Sequence, residues 1–445
     1  MGSYLSTKNK RGVPPPLPFK DFLSQVHLHM HPLNKHLLTP ESQALVPIVK
    51  RGEDSQTIRM LTFNMCLVPV CFSPLVYAPY QAQRMQEFVL HYAQNYDILC
   101  LQEVIGLLWE VKDQFLTAMR KAGFFYVADP KRPDIFSDQE VCEGGVIIFS
   151  RFEIVEWEFL PFSYSVDAEG HSVIGSVYAC VKVPEKADTQ APSRFMHLFN
   201  VHTMSNSSFS DPFIVYESMI CRQQQITELA QFVKAKLGEI STKHSCFLGH
   251  EDLANHMAII CGDFNVNALE ESEDVKAMLL KAHPENIKFL EEAKLEYAQM
   301  VEKLSHSIPS SLVDMSQAQL GGHPRTFIHI NTCREMNKRE EYQIEVNQCY
   351  DYIFEKKIGD HKNISVKPNT MKIERFDSHD HHPWPAVSDH CGLSIDIKIK
   401  PTQTYHSDEV VTIRTKEATT LGPLEEDTIS LSTTSGSVRT LQRHY

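Results

Sequence analysis

The stretch Tyr96-Asp97-Ile98-Leu99-Cys100-Leu101-Gln102-Glu103-Val104 decides how the chain is read. Its centre is an unbroken apolar run of strand length, and a run without polar alternation reads as a strand buried on both faces. It ends on an amide and a carboxylate. Upstream, Met85, Phe88, Val89 and Tyr92 recur at i, i+3, i+4 and i+7, the period of an amphipathic helix. Before that helix, Met60, Leu61 and Phe63 form another apolar run, which stops at Asn64. The order is strand, helix, strand.

Downstream, apolar runs at 145–149, 176–181, 195–199, 257–261, 352–354 and 393–397 predict further strands. Ile226, Leu229, Ala230, Val233 and Leu237 predict another helix, and the Glu-, Lys- and Leu-rich stretch from Glu270 to Ser305, broken at Pro284, predicts a helical excursion. Short apolar strands with few long helices predict an α/β (α+β) domain of two packed β-sheets flanked by helices around one core. No internal repeat is visible.

The chain has 445 residues, 42% hydrophobic and 22% charged, a globular balance that excludes fibrous and wholly disordered classes. Its 43 Lys and Arg against 56 Asp and Glu give a net charge of −13, against a broad nucleic-acid-binding face. The 11 cysteines are scattered, several inside apolar runs, which predicts buried thiols in a reducing compartment and no zinc site. No secretory leader and no apolar run of about 18 residues is present. Residues 1–56, with Pro14-Pro15-Pro16 and four further prolines, read as an N-terminal arm. Residues 57–400 read as the catalytic domain. Residues 401–445, with 15 Ser or Thr in 45 positions, read as a disordered tail.

Polar motifs recur at the ends of the apolar runs: Phe63-Asn64, Gln102-Glu103, Asn200-Val201-His202, Gly262-Asp263-Phe264-Asn265, Asp351-Tyr352 and Ser388-Asp389-His390. Polar residues directly after buried strands gather on one rim of a sheet, so six such motifs predict one site. Glu103 with Asn64 is an oxygen-ligand set suited to Mg²⁺, with Mn²⁺ as an alternative. Asp263 and Asn265, two apart on an extended segment, can face one side and hold a water and a phosphate oxygen. His390 can take a proton from that water, with Asp351 fixing its tautomer. His202 supplies a second imidazole to the leaving oxygen or to phosphate charge.

In this order the motifs resemble the endonuclease/exonuclease/phosphatase superfamily over roughly residues 57–400. The resemblance implies a four-layer sandwich and Mg²⁺ dependence. It implies Glu103 as principal metal ligand with Asn64 near it and Asp389 beside the metal. Asp263 and His390 would activate water, Asn265 and His202 would bind phosphate, and Asp351 would orient His390. Within the superfamily the chain is most similar to the neutral sphingomyelinase branch, which cleaves sphingomyelin to ceramide and phosphocholine. The stretch 96–104, Ser150-Arg151-Phe152-Glu153-Ile154-Val155 and Arg222-Gln223-Gln224-Gln225 carry that likeness. It departs from the branch where a Lys-Gly is expected after the Ser-Arg-Phe segment; the strand here reads Gly175-Ser176-Val177-Tyr178-Ala179.

The expected substrate is thus a membrane phospholipid, with no nucleic-acid partner and a monomeric enzyme. Met1-Gly2-Ser3-Tyr4-Leu5-Ser6 fits the myristoylation pattern at Gly2, and Lys8, Lys10 and Arg11 add the basic signal that stabilises a single acyl anchor. These place the protein in the cytoplasm, peripheral on a cytosolic membrane face. Residues 65–77, apolar and broken by two prolines, either press into a bilayer or fold back as core. His379-Asp380-His381-His382 matches no zinc spacing and reads as a solvated loop or a substrate-side lip, where Trp384 can meet a choline cation. Rival readings are a nuclease or RNA deadenylase, which should show a basic stacking surface, and an inositol-phosphate phosphatase, which should carry cations after the Gly-Asp motif. An inactive scaffold would not need all six motifs.

Overall fold

The structure is a computed structural model. It describes residues 56–67, 80–105, 110–130, 142–143, 145–165, 172–183, 193–205, 212–247, 252–271, 273–282, 284, 286–306, 311–327, 348–358, 363–378 and 386–400. The expectations for the N-terminal arm, Gly2, the tail, residues 68–77 and the His379–Trp384 loop lie outside these residues.

The chain opens with β1 (Gln56–Asn64), α1 (Gln81–Glu87), β2 (Ile98–Gln102), α2 (Glu110–Lys121), β3 (Tyr126–Ala128), β4 (Cys142–Glu143) and β5 (Ile147–Ser150). It continues with β6 (Ile154–Pro161), β7 (Ser172–Val173), β8 (Gly175–Val183), β9 (Arg194–His202), α3 (Pro212–Phe247) and β10 (His256–Asp263). After α4 (Glu273–Ala282) and α5 (Asn286–His306) come β11 (Leu312–Asp314), α6 (Met315–Leu320), β12 (Asp351–Lys356), β13 (Ile364–Val366), β14 (Lys372–Glu374) and β15 (Gly392–Ile399). One sheet has the order β13-β15-β1-β2-β5-β3, with β14 also on β15; the other has β11-β12-β10-β9-β8-β6. β4 and β7 pair apart from both.

Each sheet is built on a central parallel pair, β1 with β2 and β9 with β10, flanked on both sides by antiparallel neighbours. The two mixed sheets face each other, and alternate residues of each strand serve different layers because successive side chains point to opposite faces. Ile58, Met60, Ile98 and Cys100 pack inward against Val177, Ala179, Met196, Leu198, Ile259 and Cys261. Their neighbours Leu61, Phe63, Leu99 and Leu101 point outward onto Met85, Phe88, Phe115 and Met119 of the helical side. On the other sheet, Phe199, Val201 and Ile260 point outward onto Ile226, Leu229 and Val233 of α3 and Met300 and Leu304 of α5. The result is four layers, helix, sheet, sheet, helix. Burial on both faces is why the deciding stretch shows no polar alternation.

Two helices depart from the reading of their periodicity. The predicted helix through Tyr92 is α-helical only to Glu87 and closes in a π-turn over Phe88–Tyr92, which keeps Phe88 and Val89 on the core. α3 runs 36 residues, well beyond the Ile226–Leu237 stripe. The excursion is the predicted helical pair, interrupted around Pro284. Met65, Cys66 and Leu67 are buried, so the first residues after Asn64 fold back as core. The described buried cysteines are free thiols, as expected.

Candidate active site

Strand direction gathers the motifs. Asn64 and Gln102 end the parallel strands β1 and β2, and His202 and Asp263 end the parallel strands β9 and β10. β12 and β15 run antiparallel to β10 and β1, so their starts reach the same rim. The expectation that every motif terminates a strand is therefore corrected for two of them. Asp351 is the first residue of β12, and Ser388-Asp389-His390 precedes β15. An apolar run carries no sign of its direction, and either end can deliver a side chain to this rim.

The backbone bends sharply there. Glu103 (φ 54°), Cys66 (φ 49°) and Asn265 (φ 50°) all occupy the left-handed region, uncommon for residues other than glycine and typical of functional turns. Asp263 and Asn265 thus do not share an extended segment: β10 ends at Asp263, whose Oδ1 accepts the Asn265 N–H at 2.9 Å in a tight turn. Gly262 is required just before it. Its φ is 136°, and a Cβ at that position would lie 2.0 Å from the Val201 carbonyl oxygen.

At the centre, Asn64 Nδ2 donates to Glu103 Oε1 at 3.0 Å and to Asp263 Oδ2 at 2.9 Å, joining carboxylates from different sheets. His202 Nε2 lies 3.7 Å from Glu103 Oε1 and 3.9 Å from Asp263 Oδ2. Both ring nitrogens of His202 are buried without a hydrogen-bond partner among the described residues. Such a group normally finds a partner, so the ring is available to a ligand of the site. Asn265 Nδ2 donates to Thr203 O at 3.0 Å and keeps its second N–H.

His390 stands on the other side of Asp263. Its Nδ1 is 2.8 Å from Asp351 Oδ2 and its Nε2 is 3.7 Å from Asp263 Oδ2. Burial alone would lower the imidazole pKa, but the charges of Asp351 and Asp263 outweigh it and hold the value well above the ordinary 6.5. Burial raises the Glu103 carboxyl; His202 opposes this and the Asp389 charge adds to it. Glu103, His202 and Asp263 form one group with ligand atoms within 4.8 Å of one another, and Asp263, Asp351 and His390 form a second. Asp389 belongs to neither and acts on Glu103 through its charge.

The donor set fits a hard divalent cation. Two carboxylates from separate sheets are held near each other by one amide, where two like charges would otherwise repel. Glu103 and Asp263 are the carboxylates that would hold it; Asn64, expected as a further ligand, instead turns its amide N–H groups to both of them and so positions them, its Oδ1 being taken by the Cys66 N–H.

Several supporting residues escape the sequence reading. Thr326 Oγ1 accepts the N–H groups of Tyr350 (2.9 Å) and Asp351 (3.2 Å), and its carbonyl accepts the Cys391 N–H at 2.7 Å, fixing both partners of the imidazole–carboxylate pair. Thr203 receives Asn265 and donates to the Phe264 carbonyl. Ser388 Oγ donates to the Asn64 carbonyl at 2.7 Å. Ser388 lies within a recognised motif; Thr203 and Thr326 carry no periodic or motif signal that would have marked them. Asn200 and Gln102, part of the motifs, bond each other beneath the site and not within it. Arg222 forms a buried two-point pair with Glu296, at 2.8 and 3.0 Å.

Residues 61–272 match the Endonuclease/Exonuclease/phosphatase family, which bears out the resemblance read from the motifs. The chain is similar to a sphingomyelinase of Dictyostelium discoideum, 23% identical over 363 residues that cover 68% of this chain and 72% of the relative. Among solved structures it is similar to sphingomyelinase C of Streptomyces griseocarneus, at 17% identity over 76% of this chain and 99% of that one, with a TM-score of 0.49. It is also similar to the beta toxin of Staphylococcus aureus, at 20% identity over 76% and 99%, with a TM-score of 0.48. The chain is a hydrolase of phosphoric esters.

Proposed function

We propose that the protein hydrolyses sphingomyelin to ceramide and phosphocholine in a Mg²⁺-dependent reaction at a cytosolic membrane face, with Mn²⁺ as an alternative metal. The observation that carries the chemistry is the convergence of Glu103, His202, Asp263 and His390, with Asp263 Oδ2 within 3.9 Å of both imidazoles. The substrate reading is supported by the sphingomyelinase relative and by the acidic balance of the chain.

Asp351 accepts the Nδ1 proton of His390 and so directs Nε2 toward Asp263, where it can hold the proton of an attacking water. Asp263, anchored through Oδ1 to the Asn265 N–H, keeps Oδ2 toward both histidines. The free N–H of Asn265 and the unpartnered ring of His202 are available to phosphate oxygens. A divalent cation at Glu103, when bound, neutralises phosphate charge and polarises the ester.

The membrane reading rests on the Gly2 pattern with Lys8, Lys10 and Arg11 behind it, together with the apolar stretch that includes Phe72 and Leu75. Among the described residues no helix is long and apolar enough to cross a membrane. A myristoyl mass increment on the protein from its native cell, lost in Gly2→Ala, tests the anchor. Charged substitutions at Phe72 and Leu75 that leave vesicle binding unchanged would remove that stretch from the reading.

The deciding experiment incubates the purified chain with sphingomyelin vesicles and Mg²⁺ and measures phosphocholine. EDTA, Asp263→Ala and His390→Ala should each abolish release. No phosphocholine, with cleavage of DNA, RNA or an inositol phosphate in its place, overturns the substrate.

A further inference from the structure

Arg84 sits outside every motif, yet its guanidinium is 1% exposed and ends beneath the active rim. Nη1 donates to Met65 O at 3.1 Å and to Val387 O at 2.6 Å, and Nη2 donates to Cys66 O at 2.6 Å. Two of these carbonyls follow Asn64 directly, and the third precedes Ser388-Asp389-His390. One rigid, permanently charged fork therefore spans the two turns that deliver the metal-side amide and the imidazole.

The turn after Asn64 has the features of a segment held from outside. Cys66 is in the left-handed region at φ 49°, and its N–H is taken by Asn64 Oδ1 at 2.9 Å, which aims the amide nitrogen of Asn64 at Glu103 and Asp263. Both carbonyls that this bend turns inward end on Arg84. Ser388 adds a parallel tie, donating from Oγ to Asn64 O and accepting the His390 N–H at 3.2 Å. The Asn64 side and the His390 side are thus connected twice, once through a hydroxyl and once through the guanidinium. The helix that carries Arg84 is itself locked to the core by Met85, and the π-turn that follows it by Phe88.

We infer that Arg84 is a positioning residue, setting the distance between the Glu103–Asn64–Asp263 group and His390 without touching substrate. A guanidinium is suited to this because its donors are planar and diverge, so one group can satisfy three carbonyls that a Lys ammonium would reach only with poorer geometry. The inference rests on reading Glu103 and Asp263 as the carboxylates that hold the cation.

The test compares wild type with Arg84→Lys and Arg84→Met, using Mn²⁺ binding measured by electron paramagnetic resonance and turnover on sphingomyelin vesicles. Misplacing a supporting group typically weakens metal affinity or rate about 10–100-fold. Arg84→Met should show loss of that order in Mn²⁺ affinity and kcat with little change in KM, and Arg84→Lys should recover part of it. Should Arg84→Met fail to fold, Arg84→Lys decides alone through the same split. A folded variant with wild-type Mn²⁺ affinity and kcat, altered only in thermal midpoint, overturns the inference. Wild-type protein whose Mn²⁺ binding is indifferent to Glu103→Gln and Asp263→Asn would overturn the underlying assignment instead.

Discussion

Gln102 donates its side-chain amide to Asn200 Oδ1 at 2.6 Å, although the two residues belong to different sheets. Asn200 answers from Nδ2, at 2.9 Å to the carbonyls of Leu101 and of Ile147, again on the opposite sheet. These bonds tie the sheets one layer below the catalytic rim, in a buried interface where Gln102 also donates to Thr62 Oγ1 at 3.0 Å. Removing the amide strands two backbone carbonyls in a dry interior. Asn200→Leu should therefore lower unfolding free energy by about 2–4 kcal/mol in urea titrations. A loss below about 0.5 kcal/mol, the scale of a surface change, would show that the tie is dispensable.

Asn64 touches both metal-side carboxylates, and its replacement should act on cation binding more than on the fold. Asn64→Ala is expected to raise the Mg²⁺ concentration for half-maximal activity about 10–100-fold. Restoration of rate at high Mg²⁺ would confirm that the lost function is one of orientation. An unchanged Mg²⁺ curve would remove Asn64 from the cation site.

The imidazole of His390 is held well above its ordinary pKa first by Asp351 and then by Asp263, against the opposing effect of burial. In metal-free protein, Asp351→Asn should lower the His390 pKa, because burial then faces only the remaining charge. The shift is readable from the His390 ring signals in an NMR titration. A value that stays put would mean that Asp351 does not control this proton.

Asp314 provides a pH-dependent contribution away from the chemistry. Its Oδ1 caps α6 by accepting the Ser316 N–H at 2.8 Å, and its Oδ2 is 2.7 Å from Tyr297 Oη and 3.0 Å from His323 Nε2. Burial would raise this carboxyl, but the bonds from His323 and Tyr297 prevail and hold it below its ordinary 3.8. A depressed carboxyl stabilises the fold above its unfolded value and loses that contribution as pH falls through the folded one. Stability should thus decline below pH 3.8, and Asp314→Asn should flatten that decline while costing about 1 kcal/mol at neutral pH through the weakened cap. Parallel acid-unfolding curves for the two proteins would refute the assignment.

The strands of both sheets were legible because burial on two faces leaves unbroken apolar runs, as in Ile98–Leu101 and Met257–Cys261. Two packed sheets flanked by helices followed from these short strands and the helical stripes between them, and the four-layer order was what the family resemblance implied. The candidate ligands were legible because each abuts such a run. Direction was not: nothing in Tyr352-Ile353-Phe354 says that Asp351 begins its strand. The supporting contacts were hidden for a different reason. Arg84 meets Val387 across 303 positions, and a donor that satisfies distant carbonyls leaves no local pattern. Likewise Thr326 resembles any loop threonine until its neighbours are placed.

Cys66, Glu103 and Asn265 hold backbone angles that most side chains avoid, and each such residue costs on the order of 1–3 kcal/mol. Set against a total stability of about 5–15 kcal/mol, that is a sizeable fraction concentrated in three turns of one rim. Laboratory selection for heat resistance would therefore find relief at these positions, glycine at 66 being the simplest. Glycine keeps the left-handed bend and so spares the aim of Asn64, whereas survivors that relax the bends at 103 or 265 should be hardier and slower, because those bends aim the Glu103 carboxylate and the Asn265 amide. Heat tolerance and turnover should therefore trade against each other at Glu103 and Asn265 and not at Cys66.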